Sequence, residues 1–401
     1  MKILQVTPSF PPSTLGGVST HVDLISRGLV SRGHSVSVAT TNRLDLKRVM
    51  AMSGLQESNG LRVYYAKAHW PGKYFLAPEI IRVLDHWIPH FDIVHVHDTR
   101  TFVGLAAYVL TRRLPTPYVL TCHGSLSVHI GDTLSKVLHD RVLGKGLVKS
   151  ASRVIAVSEM EVSDLATFGI SPERISIIPN SLPLDETFLD NRLTTRSTSQ
   201  TTQQTILFLG RIHPIKGIDR LIQAFQLVHE RNKAARLLIV GQDYGARSSL
   251  KQIARQLNLE DVVEFRGPAS GSEKKTLLQN ADVLVLPSYS EVFGLVILEA
   301  FAARLPVIAT NGCSIATDLE RAHAGLIVSS VTGMADAIER CLSDRDLANS
   351  LREGGLALLR TKYDWQSALA KLELVYAQAI ESKYGQEQQS MNPSNAGELL
   401  G

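Results

Sequence analysis

The stretch DVLVLPSYSEVFGLVILEAF, Asp282–Phe301, contains in one line the unit from which the whole chain is built. Asp282–Leu286 reads as a strand, since Val283–Leu286 after the aspartate is an unbroken apolar run, the mark of a parallel strand covered on both faces. A polar turn follows and opens a helix. On both sides of it, the same alternation of short Val/Ile/Leu runs with longer amphipathic stretches recurs along the chain. The runs fall at 2–6, 35–40, 61–65, 92–97, 117–121, 153–157 and 175–178, and then at 205–209, 236–240, 262–265, 306–309 and 325–328. Spacings of roughly 25 residues between buried strands call for crossover helices, so the sequence predicts an α/β protein with the βαβ arrangement used twice.

The chain has 401 residues, 44% of them hydrophobic and 20% charged. That length corresponds to two or three domains with real cores, and excludes a disulfide-stapled module and a disordered chain. Residues 190–204 are polar and aperiodic, so the expected division is a first domain over 1–190, a linker over 191–204 and a second domain over 205–364. An amphipathic helix is expected from Trp365, over 365–383, and a disordered Gln/Ser/Asn-rich tail over 384–401. Cys122, Cys313 and Cys341 form no CxxC pair, which suits a reduced, cytoplasmic compartment. The Met1–Val6 run reads as a first strand rather than a signal peptide, and no window approaches the ~18 apolar residues of a membrane span. The formal charge of +4 is too small to indicate nucleic-acid binding. It conceals an asymmetry: residues 1–150 hold 17 Lys/Arg against 9 Asp/Glu, net +8, which leaves net −4 for the remainder. This is either a chance imbalance of the solvated surface or attraction of one half to an anionic surface or acceptor.

Four loops at strand ends could carry chemistry. Glu291 and Glu299 flank a helix start; two helical turns between them would separate the carboxylates by roughly 12 Å. The amides of Phe293, Gly294 and Leu295 between them could meet a diphosphate at the positive end of the helix. Otherwise the two acids are surface groups of an ordinary helix. Gly210–Gly217 (GRIHPIKG) follows the 205–209 strand, and Arg211 and Lys216 could hold a diphosphate and stabilise it as a leaving group, or simply flank an exposed loop. The glycine-to-lysine spacing excludes a Walker A loop. In Thr14–Ser19 (TLGGVS), Gly16 and Gly17 allow close backbone approach to a ligand, or form a plain tight turn. His123, in Thr121–Ser125 (TCHGS), could bond a substrate oxygen or be a structural histidine. His95 and His97 share a strand face, but no third and fourth ligand lies near them, so no metal site is expected.

In their order along the chain, Gly16-Gly17, His123, the Arg211/Lys216 pair and Glu291-x7-Glu299 resemble the nucleotide-sugar-dependent glycosyltransferases of family 4. The stretches Val154–Glu159 and Ile178–Asn180 resemble that family's interdomain approach. The likeness runs from residue 2 to about 383. It implies the GT-B fold, two Rossmann-like domains with parallel sheets facing across a cleft. It also implies a retaining hexosyltransferase that needs no metal or other cofactor and takes a UDP- or GDP-linked sugar as substrate. The resemblance puts Glu291 on the donor sugar, Glu299 on the ribose, Arg211, Lys216 and Gly16 or Gly17 on the diphosphate, and His123 near the reacting sugar. Three departures bear on donor identity: Val292 after Glu291, Gly312-Cys313 with a later Thr317-Asp318, and Ser181 after Asn180.

The implied acceptor is a saccharide or lipid-linked saccharide of cell-surface polysaccharide or lipopolysaccharide synthesis. Trp70, Tyr74, Phe75 and Trp87 lie beside Lys67, Lys73 and Arg82, either as an interfacial surface or as core, and peripheral membrane association on the cytoplasmic face is expected. A nucleotide-sugar epimerase of similar architecture and a non-enzymatic nucleotide-sugar-binding protein are the alternatives.

Overall fold

The computed structural model describes residues 1–13, 15–45, 47–58, 60–69, 76–126, 144–184 and 203–391, with side chains of the last helix described through Lys383. The chain divides into two compact units, Met1–Ile178 together with the residues from Leu369 on, and Pro179–Ala368. The division thus falls at Pro179, upstream of the expected linker, most of which lies outside the described residues.

The first unit holds an eight-stranded sheet of β1 (Lys2–Val6), β2 (Ser35–Thr41), β3 (Gly54–Ser58), β4 (Leu61–Ala66), β5 (Ile93–His97), β6 (Tyr118–Thr121), β7 (Arg153–Ala156) and β8 (Ile175–Ile177). Their spatial order is β3-β4-β2-β1-β5-β6-β7-β8. Every pairing is parallel except β3 with β4. The sequence pattern missed β3: as an edge strand with an exposed GLQES run it has no apolar face to show. Its signal in the sequence is Asn59-Gly60 before β4, a dipeptide that hairpin turns favour. The inner strands are fully covered, and β5 is buried at all five positions, His95 and His97 included.

The second unit holds β9 (Gln204–Leu209), β10 (Ala235–Val240), β11 (Val263–Arg266), β12 (Val283–Leu286), β13 (Val307–Thr310) and β14 (Leu326–Val328), all parallel, in the order β11-β10-β9-β12-β13-β14. Its core is assembled from Ile206, Phe208, Leu237, Ile239, Val283 and Val285 under the helix Ile218–Arg231, which contributes Leu221, Ile222 and Phe225.

Each sheet reverses its strand order once, between β1 and β5 in the first and between β9 and β12 in the second. Where the order reverses, the loops leaving the carboxyl ends of the two strands diverge and open a crevice, the place where open α/β sheets bind ligands. The last helix runs Trp365–Met391, past Lys383 where the sequence reading ends it, because Glu, Gln and Lys tolerate helix well and extension needs no new nucleus.

Candidate active site

In the second unit the loops after β9, β12 and β13 are stapled together through their backbones. The amide of Tyr289 donates to Ile215 O at 2.9 Å, that of Glu291 to Gly312 O at 2.8 Å, and that of Ser314 to Glu291 O at 2.9 Å. Two glycines permit this approach. Gly217 has φ of 61°, and a Cβ there would stand 2.1 Å from Pro287 O; at Gly312 a Cβ would stand 2.4 Å from Tyr289 O. Arg220 donates to Pro287 O at 2.6 Å, tying the Ile218–Arg231 helix to the same loop.

This lacing carries Lys216, 7% exposed, onto Glu291, and the two form an ion pair. Lys216 sits at the end of a short 3-10 turn, Pro214–Lys216, before the left-handed Gly217. Arg211 differs from it: its exposed guanidinium lies 5.4 Å from the Tyr244 ring centroid, and among the described residues no carboxylate pairs with it.

The helix that follows Glu291 spans Leu295–Ala302 and is preceded by Gly294 with φ of 73°, with no side chain capping its first amides. This corrects the expected spacing. Residues 291–294 are not helical, so Glu299 stands about one turn into the helix and its offset from Glu291 is not a two-turn rise. The Phe293 side chain is buried edge-to-face on Tyr363 at 5.5 Å, which leaves only its backbone for a ligand. Leu295 supplies the first helical amide. Glu299 accepts from Lys274 Nζ through Oε1 at 2.5 Å, while Oε2 is buried without a partner among the described residues. Lys274 escaped the sequence reading. It lies on the helix Gly271–Asn280, 25 residues from Glu299, and nothing local marks it.

In the first unit, Gly16 precedes the helix Gly17–Ser31 with φ of 120°, a conformation that favours glycine. A Cβ on Gly17 would meet nothing within 4 Å. Thr14, from the same loop, lies outside the described residues. His123 follows β6 with φ of 51°, next to Asp98, which follows β5 with φ of 73°. Two strained non-glycine residues at neighbouring strand ends are a common mark of a functional site. His123 bonds His97 (Nε2···Nδ1 3.0 Å), His97 bonds Gln5 (Nε2···Oε1 2.8 Å), and His95 bonds Tyr376 (Nδ1···Oη 2.7 Å) and Thr121 (Nε2···Oγ1 2.8 Å). His21, from the Gly17–Ser31 helix, stands edge-on to His123 at 5.2 Å between centroids. Burial holds these imidazoles neutral, pushing His21 down to about 4 and His95 to about 3, with His97 and His123 well below the ordinary value.

The carboxylate of Glu161, 1% exposed, accepts from the amides of Gly124 at 2.6 Å and Val157 at 2.8 Å and so fixes the turn that carries His123. Burial raises its pKa against the lowering effect of those two amides. The signal for it was Ser158-x-x-Glu161, a helix-start pattern in which Ser158 caps the helix Glu159–Thr167. Trp87, a candidate for an interfacial surface, instead packs on the first unit's core and edge-on to Tyr64 at 6.0 Å. Trp70, Lys73, Tyr74 and Phe75 lie outside the described residues, whereas Lys67 and Arg82 are exposed. Among the described residues no group of three or more His, Cys, Asp or Glu side chains could hold a metal ion, and no helix is long and apolar enough to cross a membrane.

Loops at the switch point of a parallel sheet, lined with lysine–glutamate pairs and uncapped helix amides, make this an α/β protein with a candidate site for an anionic, hydroxyl-rich ligand. Two family models divide the chain between them: Glycosyltransferase Family 4 over residues 15–186 and Glycosyl transferases group 1 over residues 191–357. The chain is 30% identical over 310 residues to a D-inositol 3-phosphate glycosyltransferase of Corynebacterium aurimucosum, covering 72% of each protein. It is 29% identical to an uncharacterized glycosyltransferase of Methanocaldococcus jannaschii, covering 95% of this chain and 99% of that one. The fold matches Anabaena Alr3699/HepE in complex with UDP-glucose, with a TM-score of 0.72 at 19% identity over 95% of this chain and 100% of that one. The chain belongs to the group 1 glycosyltransferases, and its fold is GT-B.

Proposed function

We propose that this glycosyltransferase is a retaining hexosyltransferase that moves a sugar from a UDP- or GDP-linked donor to a saccharide or lipid-linked saccharide, without a metal ion. The observation that carries the reading is the Glu299 carboxylate, with Oε1 held by Lys274 and Oε2 buried without a partner among the described residues. A bare acceptor oxygen in a half-buried site calls for a hydroxyl donor, and the ribose of a nucleotide supplies one. Lys216 and Arg211, with the amides of Gly294 and Leu295, supply the positive charge for the diphosphate that a metal would otherwise bring. In transfer the bond from the anomeric carbon to the diphosphate oxygen breaks, and its electrons leave with the nucleoside diphosphate. The acceptor oxygen forms the new glycosidic bond, and its proton passes to the departing phosphate. Glu291 and His123 contact the transferred sugar, and Gly16 and Gly17 let the backbone approach the diphosphate.

The reading places the reaction in the synthesis of cell-surface saccharides. The basic first 150 residues support attraction to an anionic membrane, which sedimentation with anionic liposomes at low and high salt would test. The donor is found by thermal shift with a panel of UDP- and GDP-sugars, since bound donor stabilises according to its affinity. With that donor, Glu299→Ala and Lys216→Ala should each lose turnover by orders of magnitude while keeping the fold. Near-normal turnover in both variants rejects the reading.

A further inference from the structure

The buried polar chain beneath His123 crosses three adjacent strands: Gln5 on β1, His95 and His97 on β5, and Thr121 at the end of β6, with Tyr376 from the last helix closing it. Gln5, His95, His97 and Tyr376 are each 1% exposed or less. At such burial every polar atom needs a partner, and each hydrogen bond dictates the next.

Gln5 fixes the direction. Its Nε2 lies 3.4 Å from Tyr376 Oη, too long for an O–H···O bond and tolerable only as a weak N–H···O contact. The amide therefore donates to Tyr376 and turns its Oε1 to His97 Nε2, which must carry the proton of that 2.8 Å bond. Tyr376 in turn donates its hydroxyl to His95 Nδ1 at 2.7 Å, and His95 donates from Nε2 to Thr121. The imidazoles of His95 and His97 are 4.0 Å apart between centroids, and those of His97 and His123 are 5.3 Å apart, so second protons would place like charges face to face in a dry interior. His97, with one proton on Nε2, has only a lone pair at Nδ1. The 3.0 Å contact there is then a hydrogen bond donated by His123 Nε2. What is left of His123, half-buried and with no other hydrogen bond among the described residues, is a bare Nδ1.

We propose that Gln5 and His97 are positioning residues that lock His123 as the neutral imidazole protonated on Nε2, so that its Nδ1 serves as a hydrogen-bond acceptor for a hydroxyl of the transferred sugar. The tautomer stands on the first unit's own hydrogen bonds, and its consequence for transfer rests on the placement of His123 proposed above. His123 in this state orients a sugar hydroxyl and gives up no proton to the reaction. Glu161, through the Gly124 amide, sets the backbone that aims it.

The decisive measurement is long-range 1H–15N correlation of the full chain labelled at histidine, near neutral pH and without ligand. His97 and His123 should both show a protonated Nε2 and a bare Nδ1. A proton on His123 Nδ1, or an imidazolium there, overturns the proposal whether or not any donor is turned over. A matched pair of substitutions then reads the consequence with UDP-glucose as the first probe. In His97→Asn the amide oxygen can stand where Nδ1 stood, so the His123 tautomer is kept and kcat stays within about threefold. His97→Leu, of the same shape, removes the acceptor; His123 then shows both tautomers, and kcat falls roughly tenfold at a smaller change in KM. A role in packing alone would favour Leu in this strand, so equal spectra and equal kcat in the two variants overturn the proposal. Gln5→Met loosens the same lock from the far end and should give mixed His97 tautomers; an unchanged His97 spectrum counts against it.

Discussion

The strand-end sites of the two units share a topology and differ in their electrostatics. In the second unit the side chains are charged and paired with each other, Lys216 with Glu291 and Lys274 with Glu299, each pair half-buried or deeper. In the first unit they are four imidazoles kept neutral by burial: His95, His97 and His123 are joined through hydrogen bonds that also take in Gln5, Thr121 and Tyr376, and His21 stands edge-on to His123. The contrast teaches what each site is suited to hold. Internal ion pairs can be exchanged for a charged ligand at little net cost, which fits a diphosphate and its counter-charges. A neutral hydrogen-bonded chain fixes direction without adding a field, which fits the recognition of sugar hydroxyls.

The largest effect should come from breaking the charged side. Lys216→Ala leaves Glu291 unpaired and removes a cation from the leaving diphosphate, and turnover should drop by roughly 10²–10³. Steady-state kinetics with the identified donor check this, and a loss below tenfold would erase the contrast with the histidine side.

Acid should damage the neutral side next. In the unfolded chain His21 titrates near its ordinary value of 6.5, and in the fold near about 4, so the unfolded state binds more protons between those limits. Stability is therefore complete above about pH 6.5 and declines as pH falls towards 4, by roughly 3 kcal/mol from His21 alone. His95, His97 and His123 add to the same limb. Glu161 works in the opposite sense, since its raised pKa makes the fold the better proton binder. Urea midpoints measured between pH 7 and 4 should follow the histidines, and a flat profile would mean these imidazoles are not kept neutral.

Two glycines sharpen the comparison at a smaller scale. Gly217→Ala places a methyl against Pro287 O in a left-handed residue and should destabilise by about 1–3 kcal/mol. Gly17→Ala meets open space at the first position of a helix, so thermal stability should hold or rise slightly while donor affinity falls. A drop in melting temperature for Gly17→Ala would assign that glycine to packing. The smallest change belongs to Lys274→Met: with both partners partly exposed the pair contributes at most about 1 kcal/mol, seen as a few-fold rise in donor KM with kcat little altered.

The repeat of apolar runs located thirteen of the fourteen strands among the described residues, because a strand covered on both faces is built mainly of apolar residues. β3 escaped since it lies at an edge with an exposed GLQES run. Glu291, Glu299, Arg211 and Lys216 were legible as residues clustered at the ends of recognisable elements. Their pairing was not, because Lys216 and Glu291 are 75 positions apart and meet only through two loops laced by backbone hydrogen bonds. Lys274 was illegible for a related reason: a single charged residue on a helix looks like any solvated one until the fold shows which carboxylate it faces. Glu161, by contrast, had a local signal in Ser158-x-x-Glu161 that marks a helix start but not its bond to the Gly124 amide.

The sequence by itself determined the α/β class, the double use of βαβ, and the strand ends at which chemistry could sit, since all three follow from local periodicity and composition. Only the tertiary structure shows which charges are paired, that Glu299 keeps one oxygen without a partner among the described residues, and that His97 bonds His123 while His95 bonds Tyr376 and Thr121. Those outcomes depend on burial and on partners far away in the chain. A histidine in an apolar strand becomes a link in a relay only when Gln5 and Tyr376 arrive beside it and exclude water.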